Sequence, residues 1–223
     1  LSGYFSGSLS FGGTTFTAPV NDIDIFLVKL DSDGQHILSR QYGTTSYERT
    51  FGLAVDASDA VWMTGTYSAR INFGGVNDLA VPTGQDLFLA RFNAQGGHLL
   101  SFAIRATELG EEVRGIATDQ SSNVYLTGGF LGGLYLGTQK VADADEKQIF
   151  ALKFNQVGAL QWAKSFGSPT FDDIGRAIHA DSVGNVWVTG MAGPNADLGA
   201  GPLPGFGGGD VFLMALNASG NPL

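Results

Sequence analysis

The chain has 223 residues, of which 43% are hydrophobic and 15% are charged, and 12 basic against 21 acidic residues give it a formal net charge of -9. This composition predicts a globular protein with an ordinary hydrophobic core and excludes a disordered chain. Because Lys and Arg do not cluster anywhere, it argues against nucleic acid as a partner, and the absence of cysteine excludes disulfides, thiolate metal sites and cysteine nucleophiles.

Membrane insertion is not expected either, because no apolar run approaches the roughly 20 residues that span a bilayer. The chain begins at Leu1, without a methionine and inside a repeat. We therefore expect it to be a piece of a longer protein.

One short segment recurs along the whole chain, as VWMTG at 61–65, VYLTG at 124–128 and VWVTG at 186–190, with LSG at 1–3 as the tail of a further copy. The last glycines of these copies are separated by 62, 63 and 62 positions. A second motif keeps the same phase, as DIFLVKLDSDG at 24–34, DLFLARFNAQG at 86–96, QIFALKFNQVG at 148–158 and DVFLMALNASG at 210–220. The sequence therefore predicts one region of four repeats, approximately 1–50, 51–113, 114–175 and 176–223, of which the first and last are incomplete.

The first strand-like run of a complete period is FGLAVD, RGIATD or RAIHAD, which ends at Asp56, Asp119 or Asp181. We predict that it is the innermost strand, because its second residue is small and small residues are needed where neighbouring sheets converge. These small residues are Gly52, Gly115 and Ala177. The second run is the VWMTG motif, which follows a tight turn such as DSVGN at 181–185.

The third run is apolar on both faces, as expected of a strand between two packed sheets. Its apolar pairs are Ile25 and Phe26, Leu87 and Phe88, Ile149 and Phe150, and Val211 and Phe212. A longer connection rich in Gly and Pro joins the second run to the third. The fourth run carries an apolar residue at one shared position, occupied by Leu38, Leu100 and Trp162.

Four short antiparallel strands per period are the signature of a propeller blade. The sequence thus predicts an all-β fold, a β-propeller of four-stranded antiparallel blades with about four repeats of 62 residues. Because the end copies are incomplete, we expect an open arc or a fragment of a larger propeller. The alternative is a four-bladed propeller completed by other chains.

Three segments together resemble the bacterial SBBP-type β-propeller repeat family: DVFLMALNASG at 210–220, WAKSFGSPTFDDIGRAIHAD at 162–181 and DSVGNVWVTG at 181–190. The resemblance extends over essentially the whole chain. It implies a propeller from a large secreted or cell-surface bacterial protein, in an extracellular or periplasmic location. It implies no particular reaction, and no catalytic residue follows from it.

Acidic residues recur just before the predicted inner strand, at Glu48, Glu111 and Asp173. In a propeller they would ring one mouth of the channel, where carboxylates can hold a hard cation such as Ca²⁺. The alternative is structural, since Arg114 and Arg176 follow three residues later and such pairs often bridge neighbouring blades. We expect no cofactor, and Ca²⁺ at these acidic residues is the alternative.

Two further polar features are weaker candidates. Asp143, Asp145 and Glu146 lie in a predicted long connection and form either an isolated cation site or a solvated acidic loop. His179 replaces an alanine of the inner strand, but a lone imidazole makes neither a zinc site nor a triad.

Aromatic residues that break the repeat pattern are candidates for ligand binding on a loop surface, where sugars or peptides stack. They are Phe130, Tyr135, Phe171 and Phe206. Packing is the alternative for each of them.

Three functions remain open. The first is a non-catalytic binding or scaffold module with a protein or glycan ligand on one propeller face. The second is a structural subunit that self-associates through its incomplete blades by pairing of edge strands. The third is a metal-dependent hydrolase or lyase that uses the acidic ring with His179. No catalytic residue is predicted, and the expected function is the first.

Overall fold

The structure is a computed structural model that describes residues 1–108, 110–205 and 208–223. It is all-β, with antiparallel pairing between the strands. The strands are β1 (Ser2–Phe5), β2 (Gly7–Leu9), β3 (Phe16–Ala18), β4 (Asp24–Leu30), β5 (His36–Tyr42), β6 (Arg49–Val55), β7 (Val61–Tyr67), β8 (Asp86–Phe92), β9 (His98–Ala106), β10 (Glu112–Thr118), β11 (Val124–Leu136), β12 (Gln139–Phe154), β13 (Leu160–Phe166), β14 (Ile174–Ala180), β15 (Val186–Ala192) and β16 (Asp210–Leu216).

The chain divides into two compact units, the first formed by Leu1–Leu53 with Asp59–Ala103 and the second by Ala54–Ser58 with Ile104–Leu223. Among the described residues there is no helix that is long and apolar enough to cross a membrane.

In the first unit, β1, β4 and β5 form one sheet, and β6, β7, β8 and β9 are successive hydrogen-bonded neighbours. The two sheets share a core, because Ile25, Leu27 and Tyr42 from the first sheet pack with Met63 and Phe92 from the second. The rings of Tyr42 and Phe92 are stacked with their centroids 5.5 Å apart. Each sheet therefore covers the apolar side of the next one.

The second unit repeats this arrangement. Strands β10, β11, β12 and β13 pair in chain order, and β14, β15 and β16 form a second antiparallel sheet. Tyr125 and Ile149 of the first sheet share a core with Ile178, Val188 and Phe212 of the second. The predicted order of strands within a repeat is confirmed.

The inner strands of neighbouring repeats approach closely in the second unit. A Cβ atom added at Gly115 of β10 would lie 3.0 Å from the backbone nitrogen of Ile178 and 3.1 Å from the Cα atom of Ala177, both in β14. This distance leaves no room for a larger side chain, so the prediction that this position is small because strands converge is confirmed at Gly115.

The third repeat departs from the predicted loop between the second and third runs. Strands β11 and β12 are extended into a long hairpin, in which Gly132–Leu136 pair with residues of 139–144. Gly137 makes the turn with a φ of 59°. The prediction of a long connection at Asp143, Asp145 and Glu146 is therefore wrong, because all three residues lie on β12.

Candidate functional site

Three buried carboxylates meet in the first unit. Asp22 and Asp24 lie at the start of β4, Glu48 lies just before β6, and one oxygen of each carboxylate lies within 4.8 Å of the other two. The three residues are at most 4% exposed. Among the residues that the structure describes, this is the one group of three or more His, Asp or Glu side chains with such spacing.

Backbone pairing brings these residues together. Ile23 and Tyr47 form a parallel bridge, in which the Ile23 amide donates to the Ser46 carbonyl at 3.2 Å and the Glu48 amide donates to the Ile23 carbonyl at 3.0 Å. Because side chains alternate along extended backbone, Asp22 and Asp24 project on the same side of the chain on either side of Ile23. The loop that leads into β6 thus places Glu48 beside both aspartates.

The hydrogen bonds inside the cluster leave two oxygens without a partner. The Gln41 side chain donates to Asp24 Oδ2 at 2.5 Å, and the Thr44 amide donates to Glu48 Oε2 at the long distance of 3.4 Å. The Ile23 amide donates to Asp22 Oδ1 at 3.0 Å. Asp24 Oδ1 and Glu48 Oε1 are buried and have no hydrogen-bond partner in the part of the chain that the structure describes.

The electrostatics of the cluster are unfavourable for three ionised groups. Burial raises the pKa of Glu48 to about 7, against the effect of the Thr44 hydrogen bond, and the charges of Asp22 and Asp24 add to the increase. Burial likewise raises the pKa of Asp24, against the effect of the Gln41 hydrogen bond. In the described part of the chain, no salt bridge joins a basic side chain to these three acids.

Asp173, the third-repeat counterpart of Glu48, is satisfied by backbone amides. Its Oδ2 accepts a hydrogen bond from the Ser168 amide, and its Oδ1 accepts one from the Gly193 amide at 2.6 Å. Its own amide donates to the Lys147 carbonyl at 2.9 Å, just as the Glu48 amide donates to Ile23. Asp173 is thus a structural carboxylate that joins its own loop, at Ser168, to Gly193 after β15.

The structure groups Glu48 with Asp22 and Asp24, and this group contains neither Glu111 nor Asp173. Glu111 is buried just before β10. Arg114 donates to Glu112 Oε2 from Nε at 2.7 Å, and Lys147 binds the other oxygen of Glu112 at 2.5 Å. A ring of Glu48, Glu111 and Asp173 around a common mouth remains a prediction.

His179 and Asp173 lie at opposite ends of β14, since Asp173 precedes its first residue and His179 is next to its last. At about 3.3 Å per residue along a strand, they are roughly 20 Å apart. His179 and Asp173 are therefore too far apart to act on the same reacting group, and the hypothesis of a metal-dependent hydrolase or lyase stays a prediction.

His179 instead lines an open groove of about 500 Å³ in the second unit. The groove is formed by the same position of three consecutive repeats, namely the end of the inner strand and the turn that follows it. Its lining residues include Val55 and Asp56, Thr118 and Asp119, and Ala180 and Asp181. The Thr118 hydroxyl donates to the Val55 carbonyl at 2.8 Å, which joins two of these strand ends directly.

The four aromatic candidates have different surroundings. Phe130 is fully buried, 6.4 Å from the ring of Phe150, so it packs in the core and has no exposed face for a ligand. Phe171 is half-buried and packs closely against Gly193 and Gly209. Cβ atoms added at these two glycines would lie 2.2 Å and 2.8 Å from its side chain.

Tyr135 is half-buried on the extended hairpin, with the Arg105 guanidinium 5.9 Å from its ring centroid. Phe206 lies outside the described residues. Ligand stacking on Tyr135 therefore stays a prediction.

The acidic residues of the hairpin are exposed. Asp143 pairs with Lys140 at 2.8 Å, while Asp145 and Glu146 line an open cleft together with Ser168 and Pro169. Of the two alternatives, the solvated acidic surface describes these side chains better.

Sequence reasoning missed Asp22. The signal was present, since Asp22 and Asp24 are separated by one residue at the start of a predicted strand and so share a face. It was not recognised because the other repeats have no acid at both of these positions.

The chain was also compared with known proteins. No protein-family model matches it, and no curated protein matches it.

Proposed function

We propose that this chain is a non-catalytic binding or scaffold module of a bacterial surface or secreted protein, built as a β-propeller whose ligand lies in the groove at the ends of the inner strands. The observation that carries the proposal is the groove itself, in which equivalent residues of three consecutive repeats line one open surface. Repeated units that present their variable turns at a common face are typical of binding modules.

Three features support a propeller arrangement. The sheets of neighbouring repeats share a core within each unit. Gly115 allows two inner strands to approach at backbone distance. The hydrogen bond from Thr118 to Val55 joins inner strand ends of successive repeats. Convergence at one edge with packed faces is expected of blades arranged about an axis.

The chemistry of the groove favours a neutral, polar ligand. The Asp119 carboxylate accepts hydrogen bonds from the Ser121 and Asn123 amides and from the Tyr125 hydroxyl, and Asp181 accepts equivalent amide bonds from its own turn. The Asp119 and Asp181 carboxylates therefore stabilise the turns in which they lie. Gln120, His179 and Ser182 are exposed along the groove and offer hydrogen-bonding groups to a glycan or a peptide.

A glycan array and an immobilised peptide library, probed with the labelled chain, test this proposal. We expect a probe that binds the chain to lose at least about tenfold in affinity when Gln120 and His179 are both changed to Ala, as expected for contacts at the centre of an interface. Gln35→Ala, at an exposed turn outside the groove, is the control and should leave binding unchanged. Binding that survives the double variant would contradict the assignment of the groove.

A second candidate function, a structural subunit, is favoured by the exposed apolar face of the last sheet. Trp187, Val211 and Leu213 are 41%, 87% and 68% exposed. The residues at the first two of these positions in the preceding repeat, Tyr125 and Ile149, are fully buried in the core that they share with the last sheet. An apolar face of a second copy of this chain would cover the exposed face of the last sheet, just as the last sheet itself covers Tyr125 and Ile149.

Light scattering coupled to size exclusion tests this second function. We expect the wild-type chain to form a dimer or larger oligomer and the Val211→Lys, Leu213→Lys double variant to be monomeric. Val157→Lys changes another exposed apolar residue, which lies in a turn, and should not alter the mass. A monomeric wild-type chain would reject self-association.

A further inference from the structure

We propose that Asp22, Asp24 and Glu48 bind one Ca²⁺ ion, which fastens the start of β4 to the loop between β5 and β6. This site goes beyond the proposed binding function and does not depend on it. It also differs from the ring expected from the sequence, because all three ligands come from the first repeat and the loop that follows it.

The spacing of the carboxylates suits a single calcium ion. Ca²⁺ is bound by oxygens at about 2.3 to 2.6 Å, so two ligands of one ion lie at most about 5 Å apart. One oxygen from each of the three residues falls within 4.8 Å of the others. No large rearrangement of the backbone is needed for all three to reach one ion.

The unpartnered oxygens indicate that a ligand belongs in the cluster. Glu48 is 0% exposed and Asp24 is 4% exposed. Among the described residues, Glu48 Oε1 and Asp24 Oδ1 have no hydrogen-bond partner. Leaving a charged group buried and unpaired costs several kcal/mol. Both oxygens belong to carboxylates that each place one oxygen within 4.8 Å of the others, so a cation bound by the three residues would give these carboxylates a partner.

The donor set selects the kind of cation. All three ligands are carboxylates, and the cluster contains no His or Cys, which zinc and other transition metals prefer. Mg²⁺ usually keeps several waters and takes only one or two carboxylates, whereas Ca²⁺ accepts many oxygen ligands in flexible geometry. Three buried carboxylates therefore favour Ca²⁺ over Mg²⁺.

Asp173 provides an internal comparison that supports this assignment. Its two oxygens accept hydrogen bonds from the amides of Ser168 and Gly193. Gln148 stands where the first repeat has Asp24, and Glu146, where the first repeat has Asp22, is exposed. The third repeat therefore holds one buried acid with two donors, and the first holds three buried acids.

Isothermal titration of the chelator-treated chain with CaCl₂, with thermal unfolding as a second readout, tests the proposal. We expect one Ca²⁺ per chain and a rise in the unfolding temperature with added Ca²⁺, because a ligand that binds only the folded state stabilises it. Glu48→Gln and Asp24→Asn should each weaken Ca²⁺ binding by at least about tenfold. MgCl₂ at the same concentration should produce a smaller rise.

The matched control is the double variant Asp145→Asn, Glu146→Gln, which removes two exposed carboxylates from the third-repeat hairpin. It should bind Ca²⁺ like the wild type. Circular dichroism in chelator verifies that each variant is folded, and Asp22→Asn replaces any variant that is not. Absence of Ca²⁺ binding by the wild type, or loss of binding in the hairpin control with retention in Glu48→Gln, would overturn the proposal.

Discussion

The loops before the acidic position have the same pattern in the first and third repeats, but they enclose different numbers of carboxylates. In both, a glycine and a hydroxyl residue, Gly43 with Thr44 and Gly167 with Ser168, precede the acidic position, and an amide of the hydroxyl residue donates to the acid. The third repeat encloses one carboxylate and supplies two backbone amides. The first encloses three and leaves two oxygens without partners.

This difference shows how one repeat can become a binding site without a change of fold. At Asp173 of the third repeat, Gly193 of the fourth repeat supplies the second amide, so both carboxylate oxygens have a backbone donor. In the first, the longer side chain of Glu48 lies among two further acids, so backbone donors no longer match the number of acceptors. A cation is the simplest way to restore the balance.

We expect the largest loss of stability when the buried carboxylate of the third repeat, Asp173, is removed. Asp173→Ala removes the acceptor of two amides, Ser168 and Gly193, and leaves a buried gap. We expect a loss of about 3 kcal/mol in the free energy of unfolding, because buried donors that lose a charged acceptor are costly. Urea denaturation in chelator measures it. A loss under about 1 kcal/mol would mean that Asp173 is not the structural carboxylate described here.

Gly43 and Gly167, which lie beside the acids of the first and third repeats, distinguish the calcium site of the first repeat from the structural carboxylate of the third. A Cβ atom at Gly43 would lie 2.1 Å from Asp24 Oδ1, and one at Gly167 would lie 2.5 Å from Asp173 Oδ2. Each substitution to Ala should cost about 2 kcal/mol by overpacking, as seen by urea denaturation. Only Gly43→Ala should also impair Ca²⁺ binding, since only it displaces a proposed ligand. Equal Ca²⁺ affinity in both variants would count against Asp24 as a ligand.

A smaller effect of opposite sign is expected at Glu48. In chelator, Glu48→Gln removes one of three buried like charges and should stabilise the chain by about 1 kcal/mol. In excess Ca²⁺ the order should reverse, because the wild type then gains the binding energy. The measurement is the unfolding temperature of both proteins in each condition. If Glu48→Gln is the less stable protein in chelator, the three carboxylates are not mutually repulsive.

The smallest effect concerns Glu112, the first residue of β10, whose charge is balanced by Lys147 and Arg114. Burial raises the pKa of Glu112, but hydrogen bonds and charges from Lys147 and Arg114 outweigh it and leave the pKa below the ordinary value of 4.5. Its stabilising contribution is therefore complete above pH 4.5 and is lost as the pH falls through the lower pKa of the folded state.

Urea midpoints from pH 6 to pH 3 should accordingly fall less steeply for Glu112→Gln than for the wild type. Asp145→Asn, at an exposed carboxylate of β12, is the control and should follow the wild-type curve. Parallel curves for the wild type and Glu112→Gln would show that the pairs with Lys147 and Arg114 do not stabilise the folded state.

The strand plan of the repeat could be predicted from the sequence because it depends on local pattern. The two-sided apolar run predicted β8 and β12, where Leu87, Phe88, Ile149 and Phe150 are fully buried. The convergence at Gly115 followed from one small residue in an inner strand. Both signals repeat with the period, so each copy supports the others.

The candidate site could be predicted only in part. Glu48 was found because it recurs, but Asp22 was not, because its role depends on the particular bridge between Ile23 and Tyr47. Contacts made by one copy alone are invisible to an argument from repetition. Phe130 was misjudged for a different reason, because it shares its repeat position with Tyr67 and Ala192, which are also buried, and this shared position was not recognised.

The most direct test of the difference between the two repeats is a ¹⁵N-¹H correlation spectrum of the chelator-treated chain during titration with CaCl₂. The account predicts that shifts concentrate at the amides of 22–24 and 41–48, which surround the three carboxylates. The amides of Ser168 and Gly193, which already bind Asp173, should stay in place. Shifts centred on Ser168 and Gly193, or a spectrum that Ca²⁺ leaves unchanged, would contradict it.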